Sequence, residues 1–165
     1  MLLKARLRWT LFGASAWILV DQLTKMLFKG ILTSGDPVSL LAGCLVVIPS
    51  NNHGAFLSLG ASLPMPLRSM VFTYGVSTLL VGMLVWIIRS DRLRGVELFA
   101  IASILGGGLS NLLDRCVNHG QVFDFLNIGI GSLRSGIFNV ADVGIMVGMG
   151  LLILSSFRAP ARANA

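Results

Sequence analysis

Asp124 and Asp142 are the residues of this sequence best placed to do chemistry. They stand near the two ends of Q-V-F-D-F-L-N-I-G-I-G-S-L-R-S-G-I-F-N-V-A-D-V, residues 121–143. Asp142 heads a long apolar run, and Asp124 lies in a polar loop just before it. Carboxylates held where a membrane ends are costly to keep. Two of them close together cannot both ionise easily, so one keeps a proton near neutral pH. The ionised member can take a proton from water, and the protonated one can polarise a carbonyl and assist the departing amine. That is the minimum equipment for attack of water on a peptide bond, and the stretch reads as a hydrolytic site. Taken singly, each acid has a plainer account. Asn139 could cap the following helix with Asp142 at its third position, a capping-box arrangement favoured by the helix dipole. Asp124 alone is a loop acid of the kind that solvates a surface.

The elements that must position these acids follow from composition. The chain of 165 residues is 55% hydrophobic and 12% charged, with mean hydropathy +0.82. A soluble domain has about 25% charged residues. Apolar runs of about 20 residues mark membrane-crossing helices. Four are expected, at about 9–28, 69–88, 96–113 and 138–155. They form one all-α integral membrane domain over 1–165, with outer loops 30–67 and 116–137. The first span follows Lys4, Arg6 and Arg8 and has no small-residue cleavage site, so it reads as a retained targeting span.

Within the first loop, L-L-A-G-C-L-V-V-I (residues 40–48) reads as a strand and Pro49-Ser50-Asn51-Asn52 as a turn. H-G-A-F-L-S-L-G (residues 53–60) reads as the partner strand of a small outer β-cradle. Gly106-Gly107-Gly108, Gly144, Gly148 and Gly150 suggest close helix packing in lipid. Lys4, Arg6, Arg8, Arg89, Arg92, Arg94, Arg158 and Arg162 outweigh Lys25, Lys29, Arg68, Arg115 and Arg134 on the opposite side. The positive-inside rule then places both termini in the cytoplasm and both long loops outside.

Four polar clusters meet at that outer level. They are D-Q-L-T-K (residues 21–25), N-H-G-A-F (52–56), S-N-L-L-D-R (110–115) and the central stretch. Asp21 and Lys25 share a helix face, either as an ion pair with Lys25 snorkelling to the interface or in direct support of chemistry. Asn111, Asp114 and Arg115 also share a face. They read equally as an Asp114–Arg115 pair and as donors from Asn111 and Arg115 to a substrate backbone or lipid ester. Asn52 and Gly54 read as a turn or as a loop closing over a bound peptide. His53 and His119 lack metal-ligand spacing, no G-x-S-x-G elbow is present, and no metal is expected. Cys44 and Cys116 read as unpaired thiols. The excess of bases lacks an aromatic-rich basic patch, so no nucleic-acid partner is expected.

These motifs, in this order, resemble the bacterial lipoprotein signal peptidase (signal peptidase II) family: D-Q-L-T-K, N-H-G-A-F, N-L-L-D-R, V-F-D-F and F-N-V-A-D. The resemblance covers essentially the whole chain. It implies an aspartic dyad of Asp124 and Asp142, with supporting or substrate-contacting roles for Asp21, Lys25, Asn52, Gly54, Asn111, Arg115 and Asn139. It implies cleavage of a prolipoprotein on the amino side of a diacylglyceryl-modified cysteine, at the outer (periplasmic) face of the bacterial cytoplasmic membrane. It further implies sensitivity to globomycin and no metal or organic cofactor. Ser110 stands where the family usually has glycine, and Phe56 where it usually has a second alanine; both bear on specificity. Two other functions fit glycine-rich spans carrying an acid. One is a proton-coupled transporter or channel, and the other a non-catalytic membrane protein that binds lipopeptides.

Overall fold

The computed structural model describes residues 2–54, 60, 62–91, 93 and 95–158. Phe56, Arg92, Arg94, Arg162 and most of the 53–60 segment lie outside the described residues. Four long helices appear where the apolar runs predict them. They are α1 (Leu3–Ile31), α2 (Met65–Arg89), α3 (Val96–Val117) and α4 (Val140–Arg158). Each differs from its predicted span by a few residues, because apolar runs mark the lipid-buried part of a helix and not its ends. α2 passes through a π-helical stretch, Ser69–Gly75, before continuing as Val76–Arg89. α2, α3 and α4 are long and apolar enough to cross a membrane.

α3 is the central helix. In its apolar window 67% of residues are buried, against 11% in α2 and 22% in α4. Ala14, Leu80, Ile87, Leu98, Ile101 and Leu105 form the core where α1 and α2 meet α3. Glycine lets the backbones close up. A Cβ on Gly106 would stand 2.7 Å from the Ala14 carbonyl oxygen, and one on Gly107 would strike the Ala141 carbonyl. Gly150 differs from expectation, since a side chain there would meet nothing within 4 Å.

Arg6, expected only as an inner-side charge, is buried. Its guanidinium donates to the Ser90 carbonyl, to Asp91 at 2.9 Å and to the Ile88 carbonyl at 3.5 Å, which closes the C-terminal end of α2.

The sheet is antiparallel, in the order β1 (Val38–Leu40), β2 (Leu45–Asn52), β3 (Val122–Ile130), β4 (Leu133–Arg134). It corrects three sequence expectations. The strand predicted over residues 40–48 is interrupted by a 3-10 turn at Leu41–Gly43, where Leu41, Ala42 and Gly43 all have positive φ. Pro49-Ser50-Asn51-Asn52 is no turn: β2 runs through it to Asn52, and its pairing with β3 shifts register between Val47 and Ser50. Proline cannot donate a ladder hydrogen bond and is tolerated in a strand where a bulge breaks the ladder. V-F-D-F is no loop either, because it opens β3. Consequently β2 pairs with β1 and β3, and His53 and Gly54 form a bend. Phe28, Leu32, Val47, Phe123 and Phe125 pack the sheet onto the C-terminal end of α1.

Candidate active site

The first turn of α4 sets one half of the site. The Asp142 N–H donates to Asn139 Oδ1 at 3.0 Å, and the Asn139 N–H donates to Asp142 Oδ2 at 3.2 Å. This reciprocal pair is the expected capping box, so the structural account of Asp142 holds. It does not exhaust Asn139. The side-chain amide nitrogen of Asn139 also donates to Asp124 Oδ1 at 2.6 Å and to Asn111 Oδ1 at 3.0 Å. One cap residue thus binds both acids, and it is fully buried.

The sheet sets the other half. Asp124 on β3 is 1% exposed, and Asn52 at the end of β2 donates to its Oδ2 at 2.9 Å. Asn52 Oδ1 in turn accepts the Gly54 N–H at 2.8 Å, and Arg115 donates to the Gly54 carbonyl at 2.7 Å. Burial raises the Asp124 pKa to about 7; the charge of Asp142 adds to the rise, and hydrogen bonds from Asn52 and Asn139 with the charge of Lys25 oppose it.

Beneath the acids lies a polar layer between α1, α3 and α4. Lys25 Nζ contacts Asp21 at 2.6 Å and Asp114 at 3.0 Å, and donates to Asn111 Oδ1 at 3.0 Å. With its oxygen occupied by two donors, the Asn111 amide points its nitrogen at Asp142 Oδ1, 2.9 Å away. Asp21 reaches across to α4, where its Oδ1 accepts the Ala141 N–H at 2.8 Å. Lys25 is 2% exposed and does not snorkel. Asp114 pairs with Lys25 and accepts the Phe123 N–H at 3.0 Å, so the expected Asp114–Arg115 pair is replaced.

Asp21, Lys25, Asn52, Gly54, Asn111, Asp114, Arg115, Asp124, Asn139 and Asp142 therefore belong to one connected network. Asn111 gives its amide oxygen to Lys25 and Asn139 and its amide nitrogen to Asp142, which leaves at most one N–H for a substrate. Arg115 has an unpaired donor: its buried Nε has no partner among the described residues, and its side chain lines a small cavity with His53, Arg68 and His119. Gln22, Ser110 and Asp114 were not named as site residues from sequence. Their signal was available, since Asp21, Gln22 and Lys25 match Ser110, Asn111 and Asp114 in i, i+1, i+4 spacing on two otherwise apolar helices.

Comparison with known proteins agrees with this architecture. The family described as Signal peptidase (SPase) II matches residues 14–158. A lipoprotein signal peptidase of Ralstonia nicotianae is 35% identical over 142 residues, covering 86% of this chain and 80% of that protein. One from Treponema pallidum is 34% identical over 154 residues, covering 89% and 81%. A bacterial membrane enzyme structure determined in meso at 2.3 Å resolution superposes with a TM-score of 0.77, at 24% identity, over 94% of this chain and 91% of that one. That likeness shows the fold. With the family's sequence pattern running from the fourth turn of α1 to the end of α4, the chain belongs to the signal peptidase II family.

Proposed function

We propose that this chain is a multi-pass membrane aspartic endopeptidase that removes the signal peptide from diacylglyceryl-modified prolipoproteins, cutting on the amino side of the lipidated cysteine. Cleavage of prolipoprotein signal peptides is the activity of the family to which it belongs. The aspartic mechanism is carried by one observation: Asn139 hydrogen-bonds Asp124 and Asp142 at once, in a buried site at the end of α4. Two acids so joined titrate as a unit with one proton between them. The ionised oxygen draws a proton from water as that water attacks the scissile carbonyl. The protonated acid polarises the carbonyl and then passes its proton to the leaving amine. No acyl-enzyme is formed.

Arg115 supplies the Nε donor for a substrate carbonyl, and Gly54 and Asn52 hold the rim. Asp21, Lys25, Asn111 and Asn139 hold the acids in place. α1 is the fourth span, because its polar residues Asp21 and Lys25 are buried while Leu11, Phe12, Leu19, Leu23, Met26 and Leu27 face outwards. The inner-side bases favour an N-in, C-in arrangement with the acids at the outer face of the bacterial cytoplasmic membrane. The clustering of acids at one end, instead of stepwise through the bilayer, argues against a proton-coupled transporter.

The test is cleavage of a synthetic diacylglyceryl prolipopeptide by purified protein, with and without globomycin. Asp124→Asn and Asp142→Asn should each abolish turnover, and the double variant should be no worse than either. Full cleavage by either single variant refutes the reading.

A further inference from the structure

Ser110 lies on α3, fully buried, and its side chain hydrogen-bonds Asp21 and Gln22 instead of either acid. Its hydroxyl sits between two side chains of α1. It donates to Asp21 Oδ2 at 2.7 Å and accepts from Gln22 Nε2 at 2.9 Å. Gln22 has further acceptors in the Ser110 carbonyl at 3.4 Å and Asp114 Oδ1 at 3.0 Å. Asp21 depends more heavily on the hydroxyl: its Oδ2 is shared by Ser110 and Lys25, and its Oδ1 accepts the Ala141 N–H. Ala141 stands between Asn139 and Asp142 in the first turn of α4. A carboxylate with three fixed donors has one orientation, and that orientation fixes the turn.

We infer that Ser110 is a positioning residue for the acid pair, acting through Asp21 on the turn of α4 that carries Asn139 and Asp142. The inference rests on the reading of Asp124 and Asp142 as the reacting acids. Glycine and alanine at this position leave different surroundings for Asp21. A glycine leaves a space beside Asp21 and Gln22 into which one water fits, with polar partners on both sides to rebuild the two hydrogen bonds. An alanine fills that space with a methyl group and rebuilds neither.

The two substitutions therefore separate positioning from packing. Helix propensity and cavity formation both make glycine the more damaging change at a buried helical site. Positioning reverses the order in turnover. In purified protein with a diacylglyceryl prolipopeptide, Ser110→Ala should lower kcat roughly fivefold or more at unchanged KM, and Ser110→Gly should stay within about twofold of the parent. Ser103 is the control. It is a fully buried α3 serine that accepts from Trp17 Nε1 on α1 at 2.9 Å and touches no part of the acid network. Ser103→Ala should lower the melting temperature and leave kcat unchanged.

Glycine at or below alanine in kcat, an unchanged kcat in Ser110→Ala, or an equal loss in Ser103→Ala overturns the inference. Should Ser110→Ala not fold, Ser110→Cys, nearly isosteric but a weak hydrogen-bonder, replaces it. A lowered kcat at unchanged KM supports the role, and an unchanged kcat overturns it. Failure of the parent reading looks different, since Asp124→Asn would then cleave at full rate.

Discussion

The Asp124 pKa is raised to about 7 chiefly because the fold takes the carboxyl out of water. Burial is the larger effect and the nearby Asp142 charge the next, while two amide donors pull the other way. In the proposed mechanism the protonated acid polarises the carbonyl, so kcat/KM should fall as pH rises through about 7. Asn52→Ala removes a donor that favours the ionised form. It should move that limb upward by about one pH unit, the equivalent of one hydrogen bond to a charged group. A pH–rate profile of the variant checks this, and a limb that stays in place contradicts it.

The same group links pH to stability. The Asp124 pKa is about 7 in the fold against 3.8 as the ordinary value, so between the two the folded chain holds a proton that the unfolded chain has lost. Its contribution is therefore full below pH 3.8 and is gone once pH exceeds about 7, an upper bound of about 4 kcal/mol. Melting temperatures in detergent should decline across that window, and Asp124→Asn should flatten the decline.

At the scale of elements, two contacts decide whether the acids face each other: the α4 cap and the close approach of α3 to α4. Gly107→Ala would press a methyl group on the Ala141 carbonyl. Overpacking of this kind costs about 1–3 kcal/mol. Because Ala141 lies in the same turn as Asp142, activity should drop along with melting temperature. At Gly150, where a side chain meets open space, alanine should do neither. Thermal shift and turnover on the two variants separate the cases.

The helices and the cap were legible in the sequence, because long apolar runs and an Asn-x-x-Asp start are local signals. Ion-pair choice was not. Asp114 and Arg115 are neighbours in sequence, but Lys25, from a helix far away in the chain, claims Asp114 in the fold. The strand at Val122 was hidden too, since the acid in V-F-D-F reads as exposed unless Asn52 is known to cover it.

Across the whole molecule, α1 fastens both ends of the bundle. Asp21 and Lys25 tie its C-terminal half to α3 and α4, and Arg6 closes α2 at the opposite end. Arg6→Ala removes the donor to the Ser90 and Ile88 carbonyls, which lie on a half-buried and an exposed residue, a loss of about 1 kcal/mol. The melting temperature should fall, and turnover at low temperature should persist, because nothing in the acid network touches that end.

The register shift in β2 has its own consequence. Val47 pairs with Leu126 and Ser50 with Asp124, so the strand changes parity between them. Buried Val47 and buried Asn52, five positions apart, thereby look the same way. Paired one-to-one along its present length, the strand would bring Asn51 level with Val122 and turn Asn52 away from the acid. Removing Ser50 alone leaves Val47 and Asn52 four positions apart, an even step that keeps both on one face of a regular ladder. That shortened enzyme should keep its turnover, and loss of turnover would show that the bulge is needed for more than parity.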